Sequence, residues 1–140
     1  MKKTLIIILL IAIAVFLVYK YSAKESGVDE NSNDIVLLNE AKVGQITQEV
    51  KEGKAVLLDV RTSQERSEDG YIEISTHFDL ARLQAGELPD IPKDTKIYAH
   101  CKGGTRAGKA KEILEQNGFT DVSNIGGLVD WEEFGGEVSR

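Results

Sequence analysis

One stretch limits what this chain can fold into: Lys96-Ile97-Tyr98-Ala99-His100-Cys101-Lys102-Gly103-Gly104-Thr105-Arg106-Ala107-Gly108-Lys109. A short apolar run stops at a cysteine, passes two glycines and enters a segment compatible with a helix, which predicts a strand-loop-helix turn with the sulfur at its mouth. Such a turn suits an anion. The glycines let backbone N–H groups turn toward a common centre, and the start of the helix adds unpaired donors and partial positive charge. Thiolates are the nucleophilic form of cysteine, and a helix N-terminus with Lys or Arg nearby favours that form. A lone cysteine is also often a small buried hydrophobe. Lys102, Gly103, Gly104, Thr105 and Arg106 are poor material for entombing an inert side chain, because they bring charge and backbone where apolar contact would be needed. The stretch therefore reads as a reactive cysteine, Cys101, in an anion-binding loop.

The rest of the chain supplies the setting. At 140 residues it holds one domain of ordinary size plus an appendage. Four of the 17 basic residues and none of the 23 acidic ones fall within residues 1–24, which leaves 13 against 23 beyond them, a net of −10. That balance argues against nucleic acid and against an anionic membrane surface as partners of the domain. A single cysteine forms no internal disulfide and no CxxC pair, which removes thioredoxin-type redox chemistry and cysteine-based zinc sites.

Residues 4–19 form an almost unbroken apolar run between Lys2-Lys3 and Lys20-Tyr21. It is slightly short of the ~20 residues a bilayer helix wants, and Tyr19, Tyr21 and a snorkelling Lys20 supply the interface. The expectation is a membrane anchor over residues 1–22, contacting the bilayer through residues 4–21. A cleaved secretory signal competes with it, but the best cleavage candidate, Tyr21-Ser22-Ala23, puts a bulky Tyr where a small residue belongs. The lysine count narrowly favours an N-in orientation, which places the domain outside the cytoplasm, in a bacterium the periplasm. With signal cleavage it would be secreted there instead. Residues 23–34, rich in Ser, Gly, Asn, Asp and Glu, read as a linker, and residues 35–140 as the domain.

Within the domain, apolar runs at 35–38, 55–60, 75–78, 96–100 and 121–125 predict five strands. Helices are predicted from Asn39 to Gly53 with Ala41, Val43, Ile46 and Val50 inward, at 62–69, at 79–86, and at 106–117 with Ala107, Ala110, Ile113 and Leu114 inward. Strands alternating with helices predict a small α/β domain with a mostly parallel sheet, whose sites lie beyond the strand C-termini. Cys101 falls there.

Four motifs then carry a resemblance: Leu57-Leu58-Asp59-Val60-Arg61-Thr62, Cys101-Lys102-Gly103-Gly104-Thr105-Arg106, Asn117-Gly118-Phe119, and Gly126-Gly127-Leu128-Val129-Asp130-Trp131 with Gly135. In this order, over residues 35–138, the chain resembles a single-domain rhodanese. The resemblance implies a rhodanese fold, a three-layer α/β domain with a mostly parallel five-stranded sheet and helices on both faces, which the expected transmembrane helix precedes. It implies a sulfurtransferase in which Cys101 takes sulfane sulfur from a small anionic donor such as thiosulfate, becomes a persulfide, and passes the outer sulfur to cyanide or another thiophilic acceptor. It implies that the loop from Lys102 through Gly103, Gly104 and Thr105 to Arg106 cradles the anion, with no cofactor and no metal. Related phosphatases use a loop one residue longer between cysteine and arginine. The shorter loop suits sulfur better than a tetrahedral phosphate, so phosphatase activity is disfavoured. A persulfide carrier or redox-sensing module for a membrane partner is the alternative outside enzymology.

The chain departs from the family where Gly-His-Ile-x-Gly-Ala is usual, having Gly70-Tyr71-Ile72-Glu73-Ile74-Ser75. Asp79 stands where proline is common, Arg66 where an aromatic is, and Ala107 where a serine is. Asp59 and Arg61, at a strand end, read best as a buried ion pair supporting the Cys101 loop. His100 should point to the sheet face opposite Cys101 and pack there, His77 reads as structural or exposed, and Trp131 as a core anchor of the last helix.

Overall fold

Asn39 sets the first regular element. Its Oδ1 accepts the Lys42 N–H at 2.8 Å, satisfying an amide that a helix start leaves without a partner, and α1 (Glu40–Lys51) follows. Then come β1 (Ala55–Asp59), α2 (Ser63–Asp69), β2 (Ser75–His77), α3 (Leu80–Gln84), β3 (Lys96–Cys101), α4 (Thr105–Gln116), β4 (Val122–Gly127) and α5 (Leu128–Glu133). This computed structural model describes residues 35–140; the expected membrane anchor and linker lie outside them. Among the described residues no helix is long and apolar enough to cross a membrane.

The sheet runs in the order β2-β1-β3-β4 with every pairing parallel. Successive side chains along a strand face opposite ways, so the apolar runs of β1 and β3 feed two cores. Leu58, Ile97, Ala99 and Cys101 join Leu80 and Leu83 of α3 and Ala107, Ala110 and Leu114 of α4 on one face. Leu57 and Tyr98 join Val43 and Ile46 of α1 and Leu128 and Trp131 of α5 on the other. Glu49 of α1 accepts bonds from Gln45, Tyr98 Oη and Lys96 Nζ, and these partners hold its carboxyl down at about 2, pinning α1 to β3.

The five-strand expectation is corrected to four among the described residues. The run at 35–38 makes a single parallel bridge, Ile35 to Asn124, with Val36 N–H donating to the Asn124 carbonyl at 2.7 Å. It stops there because Leu38 turns into the core while Leu37 stays 85% exposed, and Asn39 at once begins α1. The helices otherwise fall where the periodicity places them. Ala41 lies outside the buried stripe of α1, and Ile113 is half-buried beside the fully covered Leu114.

Candidate active site

Cys101 closes β3, and the register between β3 and β4 shifts just before it, so that Cys101 sits opposite Gly127. The loop then turns through exposed Lys102 and Gly103 to Gly104, whose φ of +90° suits a residue without a Cβ. There the Gly104 N–H donates to Cys101 Sγ at 3.0 Å. Helix α4 starts at Thr105 with no side-chain cap, and an uncapped helix start is an arrangement that can receive an anion. Cys101 itself is 1% exposed, while Lys102, Gly103 and Thr105 of the loop are exposed.

The two cations of the loop turn to α2. Arg106 makes a two-pronged pair with Glu65, Nη1 to Oε2 at 2.6 Å and Nη2 to Oε1 at 2.5 Å, and Lys102 Nζ reaches Asp69 Oδ2 at 3.0 Å. The Arg106 hydrogen bonds hold the Glu65 carboxyl down at about 2, and Glu65 in turn raises Arg106. Arg106 is thus a strut between helix and loop, and Lys102 is likewise engaged by α2. Glu65 was readable from sequence only as half of its capping box, Thr62-x-x-Glu65, which the structure contains. Its grip on Arg106, 41 residues away, carries no local signal.

Asp59 and Arg61 do form a buried pair, both fully covered, with Arg61 Nη2 to Asp59 Oδ2 at 2.7 Å and Nε to Oδ1 at 3.0 Å. Burial is the largest single influence on the Asp59 carboxyl and pushes it up, but the Arg61 hydrogen bonds and the surrounding charges together hold it below its ordinary value. The same Nη2 also donates to the Gly70 carbonyl at 2.9 Å, while buried Nη1 has no hydrogen-bond partner among the described residues. The pair therefore ties down the end of α2 and the start of the next loop, and meets the cysteine strand through its neighbour His100.

Three of the family departures prove to be one cluster. Arg66 pairs with Asp59 at 2.8 Å, donates to Ser75 Oγ at 3.3 Å and lies 4.7 Å from the centre of the Tyr71 ring. A cation stacked on an aromatic face, with its N–H groups engaged, is well placed in a partly buried site. Asp79 caps α3 by accepting the Ala81 N–H at 2.9 Å, and Ala107 is buried under the loop. Trp131 is 1% exposed in the core. His77 Nε2–H donates to the Arg61 carbonyl at 2.7 Å.

His100 lies on the face opposite Cys101, fully buried, its nearer nitrogen 3.8 Å from Asp59 Oδ2. Burial lowers it from 6.5 to about 4, so at neutral pH it is neutral and that approach is no ion pair. Neither ring nitrogen has a hydrogen-bond partner among the described residues. A histidine held neutral binds fewer protons folded than unfolded, so stability falls as pH drops from 6.5 toward about 4. The depressed Glu65 and Glu49 continue the loss from 4.5 toward about 2. The urea midpoint should decline across the first window, by about 3 kcal/mol in stability. In a His100→Phe variant that first decline should flatten while the second persists.

Comparison with known proteins agrees with this geometry. The sequence profile of the Rhodanese-like domain matches residues 42–134. The chain is 34% identical over 86 residues to an uncharacterised protein of Bacillus subtilis, spanning 61% of this chain and 64% of that protein, so it covers somewhat less than two thirds of that relative. It is 33% identical over 76 residues to the thiosulfate sulfurtransferase PspE of Escherichia coli, covering 52% of this chain and 70% of that one. The crystal structure of a rhodanese-like domain protein from Staphylococcus aureus superposes with a TM-score of 0.55 at 30% identity, over 70% of this chain and 95% of that chain. With the profile running from α1 to the end of α5 and enclosing the cysteine loop, the chain belongs to the rhodanese-like domain family.

Proposed function

We propose that this protein is a thiosulfate:cyanide-type sulfurtransferase held at the membrane by residues 4–21. The Cys101 thiolate attacks the outer sulfur of thiosulfate; the new S–S bond forms as the old one breaks, and sulfite leaves with its electron pair. Cyanide then attacks the outer sulfur of the persulfide, thiocyanate departs, and the Cys101 thiolate returns, a two-step covalent cycle. The observation that carries this reading is the Gly104 N–H on Cys101 Sγ at the uncapped start of α4. Those amides stabilise negative charge on the thiolate, on the persulfide and on the donor's sulfonate, at the point where each develops. Likeness to a named thiosulfate sulfurtransferase supports the choice of donor.

Incubating the full chain in detergent with thiosulfate, then cyanide, should add one sulfur atom to Cys101 by intact mass and release thiocyanate. Cys101→Ser should lose both, with turnover down by about 10³-fold or more. A second reading, a persulfide carrier for a membrane partner, draws on the near-complete burial of Cys101 and the pairing of both loop cations with α2. It predicts sulfur uptake without thiocyanate release. No uptake from thiosulfate rules out the sulfurtransferase reading.

The proposed layout is an anchor at 1–22, a linker at 23–34 and the domain at 35–140 facing the periplasm. Alkaline carbonate extraction should leave the intact protein with membranes, and an externally added protease should reach the domain in spheroplasts. A mature chain lacking residues 1–23 in the soluble fraction would point to a cleaved signal instead.

A further inference from the structure

The cysteine loop is gripped by α2 on one side, and a different set of residues holds it on the other. Asn124 of β4 is 1% exposed, and its carboxamide is used at both ends. Nδ2–H donates to the Gly104 carbonyl at 3.0 Å, and Oδ1 accepts the Gly126 N–H at 3.0 Å. The Asn124 carbonyl accepts the Val36 N–H, which brings Ile35 alongside. The Ile35 side chain then lies over both glycines. A Cβ built on Gly104 would come within 2.8 Å of Ile35 Cδ1, and one on Gly126 within 3.5 Å of its Cγ2.

Gly104 is the residue whose N–H points at Cys101 Sγ, and at φ +90° it has no side chain of its own to fix that direction. A glycine here has many accessible backbone states, and its carbonyl is held by two donors, the Gly108 N–H of α4 at 2.9 Å and Asn124. We propose that Asn124 is a positioning residue for Cys101. Its carboxamide fixes the Gly104 peptide so that the preceding N–H stays on the sulfur, and Ile35 closes over that glycine from outside. The role rests on the sulfur-transfer reading of Cys101, but the geometry acts on the thiol whether or not sulfur is ever transferred.

The test uses the full chain with Asn124→Leu, which keeps the bulk and removes both hydrogen bonds, Asn124→Asp, which keeps the acceptor for Gly126 and loses the donor to Gly104, and Ile35→Ala. The readout is the pH profile of Cys101 alkylation by iodoacetamide, followed by intact mass, beside the urea midpoint. In both Asn124 variants the alkylation profile should move to higher pH, and sulfur loading from thiosulfate at neutral pH should fall by about 10-fold or more. Ile35→Ala should shift the profile the same way by less, with a near-native urea midpoint. Profiles that overlay the parent in all folded variants would overturn the proposal and leave Asn124 a purely structural residue of β4. Should Asn124→Leu fail to fold, Asn124→Asp and Ile35→Ala decide it. A parent protein that takes up no sulfur would defeat the sulfurtransferase reading, while the alkylation profiles would still decide this one.

Discussion

Arg61→Leu is expected to destabilise the domain by about 3 kcal/mol, the lower end of what losing one partner of a buried ion pair costs. The substitution removes both guanidinium bonds to Asp59 and the bond to the Gly70 carbonyl, all inside a fully covered cluster. The effect sits at the lower end because Asp59 keeps Arg66 at 2.8 Å and the Arg61 backbone N–H at 3.1 Å. Urea unfolding at pH 7 measures it. Combining Arg61→Leu with Asp59→Asn should recover part of the loss, since the buried charge goes with its partner. A single-variant loss below about 1 kcal/mol would mean that Arg66 alone suffices to hold Asp59.

Gly127→Ala is expected to reduce sulfur loading by about 100-fold or more, the penalty typical of misplacing a reacting group by an ångström. Gly127 has φ −118°, extended backbone that alanine adopts freely, so the effect is purely one of space. A Cβ there would lie 2.0 Å from the Lys102 carbonyl oxygen, 2.7 Å from its carbon and 3.0 Å from Gly103 Cα. All three atoms are backbone of the cysteine loop, and none can swing aside as a side chain would. The loop has to leave its seat on β4 while the sheet stays. Loading and alkylation of Cys101 should collapse with a much smaller change in the urea midpoint. Near-parental loading would show that the loop does not need its contact with Gly127.

Much of this was legible in the sequence because it depends on local pattern. Asn39 announces the start of its helix, the run at 55–60 announces a doubly covered strand, and Cys101 with Gly104 marks a loop that opens a helix. The cysteine's loop and the buried Asp59–Arg61 pair follow from residue type and place. The run at 35–38 misled because four apolar residues suit a strand and a lead-in to a helix equally well, and only its tertiary neighbours decide. Glu65 and Asn124 escaped notice for a related reason. Each is polar and each sits at an ordinary position in its element, and their importance lies in partners 41 and 20 residues away. Arg66, Tyr71 and Ser75 looked like three separate deviations from a family pattern until folding brought them into contact.

Glu65 has two duties in this fold. One carboxylate closes the first turn of α2 by accepting from the Thr62 N–H at 3.1 Å, and the same two oxygens take both prongs of Arg106. Fraying at that turn withdraws the anchor of the neighbouring helix's opening, and a shift of the arginine unlatches the turn. The two helix starts therefore share one side chain, and a substitution at position 65 disturbs both at once.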